Sequence, residues 1–138
     1  MFYPAKLVKE DNGCYTVYFR DIPEALTCGD NLEDAKDMAK DALITAMDFY
    51  FEDNRIVPLP TRAERDEVLI ELPDSVFAKV LLLNEIVAQN ITLAELARRM
   101  LVKPQEVQRI VNLAHSTKID TISKALSSLG RNLVITIA

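Results

Sequence analysis

Apolar residues recur at every second position over residues 2–9, with Tyr3, Ala5 and Leu7 on one face. They do so again over residues 14–20, with Tyr15, Val17 and Phe19 on one face. A period of two belongs to a half-buried strand, so two strands are predicted. Between them lies Glu10-Asp11-Asn12-Gly13. Asn-Gly is a strong hairpin signal because both residues tolerate positive φ, so the pair should be antiparallel. A short extended piece at residues 25–28 reaches Gly29-Asp30 and would supply the third strand that makes such a sheet viable by itself. From Asn31 the period becomes helical: Leu32, Ala35, Ala39, Ala42, Leu43, Ala46 and Phe49 form one stripe. Asn31 can cap this helix, and Glu33, Asp34 and Asp37 stand where the helix dipole favours negative charge. Its bulky tail, Met47-Asp48-Phe49-Tyr50-Phe51, is expected to close the end of the core, any exposed part serving as an aromatic contact patch.

Pro58-Leu59-Pro60 cannot continue the helix, and a polar run follows, so residues 54–67 read as a loop before a short strand at residues 68–72. Pro73 suits a first helical turn, and a domain boundary is placed between Pro73 and Ser75. Four helices are predicted beyond it, at 74–89, 93–100, 104–114 and 119–129, the last ended by Gly130. The terminal run Leu133-Val134-Ile135-Thr136-Ile137 is β-branched and too short to stand alone, so it should pair with its twin in a second subunit. The fold class is therefore α+β: a sheet-plus-helix module over residues 1–72, then an all-helical domain over 73–138 with a short C-terminal dimerisation strand.

Charge sharpens this division. Residues 1–74 hold 8 Lys+Arg against 17 Asp+Glu, a balance of −9, whereas residues 75–138 hold 8 against 4, a balance of +4. Such segregation points to nucleic acid for the basic part and to a basic partner protein for the acidic part. The longest apolar run, Val80-Leu81-Leu82-Leu83, falls far short of the roughly 20 residues a membrane span requires, and no secretion signal is visible, so a cytoplasmic protein without a membrane partner is expected. Cys14, Cys28 and the single histidine, His115, make neither a metal-ligand set nor a nucleophile pair, and the two thiols are expected to be reduced and structural.

The most informative segment is Thr92-Leu93-Ala94-Glu95-Leu96-Ala97-Arg98-Arg99-Met100-Leu101-Val102-Lys103-Pro104-Gln105-Glu106-Val107-Gln108-Arg109-Ile110, which reads as a helix-turn-helix. Thr92 and Glu95 make a capping box, and Leu93, Leu96, Ala97 and Met100 form the inner face of its first helix. Ala97 is small where the two helices cross. Pro104 opens the second helix, and Val107, Ile110 and Val111 anchor it. Gln105, Gln108, Arg109 and Asn112 are left facing outward as candidate base readers. Glutamine pairs bidentately with adenine in the major groove, and arginine with guanine. Lys103, Arg98, Arg99 and Lys118 flank them and suit phosphates, which give affinity without sequence information. His115 is a further candidate phosphate donor or a structural side chain.

With these residues in view, the chain resembles the HicB family of antitoxins, in its helix-turn-helix subgroup. The likeness is carried by Phe2-Tyr3-Pro4-Ala5, by the stretch from Asp21-Ile22-Pro23-Glu24 to Cys28-Gly29-Asp30, and by the alanine-rich helix ending Phe49-Tyr50-Phe51-Glu52-Asp53-Asn54. The C-terminal half adds Glu95-Leu96-Ala97-Arg98-Arg99, Gln105-Glu106-Val107-Gln108-Arg109 and Thr117-Lys118-Ile119-Asp120. The resemblance implies a partial, ribonuclease H-like N-terminal module that neutralises a HicA-type toxin, a small basic protein that cleaves messenger RNA. It also implies a C-terminal domain that represses the operon on a palindromic operator, as a homodimer or higher homo-oligomer. One departure is Leu101, which stands where the turn of such repressor motifs usually carries glycine.

Asp21 and Glu24, on the loop after the hairpin, are the candidate toxin contacts. The rival reading is a metal-dependent nuclease, for which Asp21, Asp30 and Asp48 are the candidate ligands. Most carboxylates, however, lie on the helix from Asn31, where they suit an exposed face. A repressor sensing a small ligand is the other alternative, and no Gly-rich phosphate loop supports it. No catalytic set, metal site or cofactor is predicted.

Overall fold

The computed structural model describes residues 1–138 and divides into two compact units. One comprises Met1–Asp53 and Val57–Pro73, and the other Asn54–Ile56 and Asp74–Ala138. In the first unit, β1 (Phe2–Lys9), β2 (Tyr15–Phe19), β3 (Thr27–Gly29) and β4 (Val68–Glu71) form one antiparallel sheet in the order β3-β2-β1-β4, with α1 (Leu32–Glu52) joining β3 towards β4.

The alternation in the sequence becomes the inner face of this sheet: Tyr3, Ala5, Val17, Phe19 and Ile70 are buried with Ala35, Ala39, Leu43, Ala46, Met47 and Tyr50 of α1. The hairpin turn differs from expectation. Only Gly13 has positive φ (88°), while Gly13 N–H donates to Glu10 O and Glu10 N–H to Cys14 O, a three-residue loop closed by a left-handed glycine. Asn12 contributes through its side chain, whose Oδ1 accepts from Cys14 N–H at 3.0 Å. Asn31 caps α1 as expected, accepting from Asp34 N–H at 2.9 Å, and the Asp34 carboxylate accepts from Asp30 N–H in return.

The alanines of α1 matter for distance as well as for burial. A Cβ added to Gly29 would lie 2.3 Å from Ala35 N and 2.5 Å from Ala35 Cα, so the strand and the first turn of α1 meet backbone to backbone. Two expectations change in this unit. Leu32, the first residue of α1, and Phe49, at the edge of the stripe, are exposed, and Tyr50 with Met47 closes the core. Cys28 is exposed because it pairs with Thr16 on the outer side of the sheet. The stretch before β4 is tied down: Asp21 accepts from Thr61 N–H at 2.8 Å, and Arg20 donates to Glu67 at 2.6 Å and to Arg62 O at 3.0 Å.

The second unit contains α2 (Asp74–Ala88), α3 (Leu93–Met100), α4 (Pro104–Val111) and α5 (Ile119–Ser128). α2 packs against α4 and α5, and α3 against α4 and α5, around Leu82, Leu83, Ile86, Leu96, Val107, Ile110, Ile122 and Leu126. Gly130, at φ 76°, ends α5 as predicted, with Arg131 N–H returning to Leu126 O. α4 stops earlier than its periodicity suggested, because the Asn112 side chain accepts from Ala114 N–H and turns the chain out of the helix. The terminal run is not a strand within this chain: residues 131–138 have no regular structure, and Val134, Ile135 and Ile137 are exposed. No single helix is long and apolar enough to cross a membrane.

Candidate functional site

The sequence-predicted readers gather on the α3–α4 hairpin. Thr92 Oγ1 accepts from Glu95 N–H at 3.1 Å, which satisfies one orphan amide at the start of α3. The reciprocal half of the expected capping box does not form, because the Glu95 carboxylate bonds Arg98 at 2.8 and 2.5 Å and Arg99 at 3.0 Å. These hydrogen bonds, Arg98 first and then Arg99, pull its carboxyl down to about 2.

Leu96 and Ala97 are buried at the crossing, and α3 ends on Leu101 in the left-handed region, φ 59° and ψ 41°, with Val102 N–H returning to Ala97 O. Leucine therefore occupies a conformation that favours glycine, with its side chain 90% exposed. Lys103 and then Pro104 begin α4, and Val107, Ile110 and Val111 face the core. Gln105, Gln108, Arg109 and Asn112 are all exposed, on the arc opposite Val107 and Ile110. Two of them already have local partners: Arg109 pairs with Glu106 at 3.0 Å, and the Asn112 oxygen is held by Ala114 N–H. Lys103, Arg98, Arg99 and Lys118 are exposed, Lys118 at the start of α5. His115 Nδ1 lies 3.3 Å from Thr117 Oγ1.

Sequence reasoning missed Lys79. Only 2% exposed, it donates to the carbonyls of Arg109 (3.2 Å), Asn112 (2.7 Å) and His115 (2.5 Å). All three ammonium protons are thus used, and a positive charge stands at the negative end of the α4 dipole. Burial pushes its ammonium below the usual lysine value. The available signal was a single cation inside the apolar run Val76-Phe77-Ala78-Lys79-Val80. It fixes the end of the very helix that carries the outward polar residues.

The two residues nominated on the sheet unit have internal roles. Asp21 holds Thr61 through both amide and hydroxyl, and Glu24 Oε1 accepts from Tyr50 OH at 2.7 Å. Asp21, Asp30 and Asp48 are not brought together into a set of carboxylates that could hold a metal ion.

An acidic sheet-and-helix unit is thus joined in sequence to a helical unit with an exposed polar and cationic hairpin. A family model described as a HicB-like antitoxin of bacterial toxin-antitoxin systems matches residues 2–81. The chain is 53% identical over 133 residues to antitoxin HicB 2 of Photorhabdus laumondii, covering 96% of this chain and 94% of the relative. It is 50% identical over 133 residues to antitoxin HicB of Escherichia coli, with 96% of each covered. Antitoxin HicB of Pseudomonas fluorescens is 36% identical over 138 residues, covering 99% and 94%. The chain belongs to the HicB-like antitoxin family.

Proposed function

We propose that this antitoxin acts by binding alone: residues 1–72 neutralise a HicA-type, RNA-cleaving toxin by direct contact, and residues 73–138 repress the operon through a helix-turn-helix formed by α3 and α4. The observation that carries the second half is the outward face of α4. It presents Gln105, Gln108 and Arg109 from a helix held by Val107, Ile110 and the three bonds of Lys79. Side chains near the start of such a helix reach base edges in the major groove, and the exposed Lys103, Arg98, Arg99 and Lys118 are the proposed phosphate contacts. A palindromic operator requires two copies, and the exposed run at residues 133–137 is the element proposed to join them.

Binding of the full chain to matched and scrambled operators across a range of salt concentrations tests this. Arg109→Ala is expected to lose about 1–3 kcal/mol of discrimination, while Lys103→Ala weakens all sequences alike and lowers the salt slope by about one. Equal affinity of the unaltered chain for both operators would refute sequence reading. Copurification with the product of the adjacent gene tests the toxin half.

A further inference from the structure

The toxin partner proposed above needs a surface, and neither Asp21 nor Glu24 supplies one by itself. A shallow groove of about 230 Å³ runs along one flank of α1 and is bounded by the turn before β3. Its apolar part is Leu26, Met38 and Phe49, which are 59%, 41% and 57% exposed. Large apolar side chains converging on one exposed groove mark an interaction site, whereas scattered ones do not. The groove is smaller than the roughly 300–1,000 Å³ of a small-molecule pocket, which suits an inserted side chain better than a buried ligand.

Charge identifies the occupant. At 100° per residue, Asp37, Asp41, Asp48 and Glu52 lie within a strip about 60° wide on the outer face of α1, bordering the groove. The helix's two lysines, Lys36 and Lys40, fall on the opposite flank. Burial, and then the neighbouring Glu52 carboxylate, push the Asp48 carboxyl above the usual range. Nucleic acid and anionic lipid are repelled by such a strip, and so is a second copy of this unit, whose balance is also −9. The groove is also held in shape before any partner arrives: Tyr50 OH binds Glu24, and Leu26 N–H returns to Glu24 O, so Leu26 stands outward at little ordering cost.

We infer that the Leu26–Met38–Phe49 groove with its Asp37–Asp41 rim is where the toxin docks, taking an apolar side chain flanked by lysines or arginines. This rests on the toxin-neutralising reading above. The sheet's outer face, with Tyr18 and Leu69, is the internal control.

The test measures association and dissociation of the full chain with a catalytically inactivated toxin from the adjacent gene. Phe49→Ser and Met38→Ser are expected to speed dissociation about tenfold or more, since buried anchors set lifetime. The double variant Asp37→Lys/Asp41→Lys should slow association about tenfold at low salt, with the deficit shrinking at high salt. All are exposed positions, and unchanged thermal unfolding would verify folding. Unaltered kinetics in all these variants, with binding lost instead in Tyr18→Ser/Leu69→Ser, would overturn the assignment while leaving neutralisation intact. Self-association abolished by Phe49→Ser would reassign the groove to a second copy. No binding by the unaltered chain would sink the toxin-binding reading and this inference together.

Discussion

The two units spend their charged groups differently. In the sheet unit, Arg20, Asp21 and Glu67 hold the stretch before β4, and the acids of α1 are left on its outer face. The cation at the centre of the helical unit, Lys79, is buried, and the arginines of the hairpin are exposed, each paired with a carboxylate one turn away. A net charge therefore says little about which groups can meet a partner. What counts is which charges the fold has already committed, and the difference extends to how each unit is held in shape. The sheet unit depends on a missing side chain, and the helical unit on one buried charge.

The sharpest way to break that contrast is at Gly29. An added Cβ would overlap the backbone of Ala35, which cannot swing away as a side-chain tip could. Gly29→Ala should cost about 3 kcal/mol or more, at the upper end of overpacking effects. Denaturant unfolding would measure the loss, and hydrogen exchange should place it in β2, β3 and α1. A change below about 1 kcal/mol would mean that the close approach is not what fixes this unit.

Lys79→Met is expected to cost slightly less. It keeps the volume in the apolar run but removes the donor from three carbonyls at the end of α4. Bonds to a charged group are each worth about 1.5–3 kcal/mol, and water will recover part of that near the helix end, leaving about 2–3 kcal/mol. Operator binding should fall by more than the unfolding curve alone accounts for, because Arg109 and Asn112 would no longer be held. Equal operator affinity in the variant would make Lys79 a packing residue only.

Much of this was legible in the sequence because local rules agreed with the fold. Alternation placed β1 and β2, Asn31 and Thr92 placed two caps, and Gly130 placed the end of α5. Three kinds of information were not legible. Phe49 lies at the margin of its stripe while Tyr50 falls inside it, a distinction that 100° steps carry but that reading the tail as one bulky block lost. Glu95 had two possible uses, the Thr92 amide or the arginines one turn on, and only the folded side-chain geometry distinguishes them. Lys79 depends on carbonyls about 30 residues away, and a periodicity window holds no such contact. For the candidate site, the outward face of α4 could be read, but the local engagement of Arg109 and Asn112 could not.

Leu101 offers a smaller, opposite test. It adopts φ 59° with its side chain almost wholly in water, so its strain is repaid by no packing. The left-handed conformation costs a non-glycine residue about 1–2 kcal/mol, and glycine returns part of that through its freer unfolded chain. Leu101→Gly should therefore stabilise the chain by about 1 kcal/mol, visible as a higher denaturant midpoint at unchanged m-value. A lower midpoint would show that the leucine makes a contact that outweighs its backbone.

The subtlest effect belongs to Glu95, which holds Arg98 and Arg99 where phosphates would otherwise take them. Glu95→Gln should raise affinity for every DNA sequence alike and steepen the salt slope by about one to two, as two guanidinium groups become available. The pH dependence has a definite sign. The folded carboxyl lies at about 2, below its ordinary 4.5, so its stabilising contribution is complete above about pH 4.5 and is lost as the pH falls towards 2. The difference in thermal midpoint between the unaltered chain and Glu95→Gln should accordingly be constant from pH 8 to about 5 and shrink below that. Because the pair is exposed the difference will be small, and added salt should reduce it further. A difference that instead changed between pH 8 and 6 would remove Glu95 as the restraint on the two arginines.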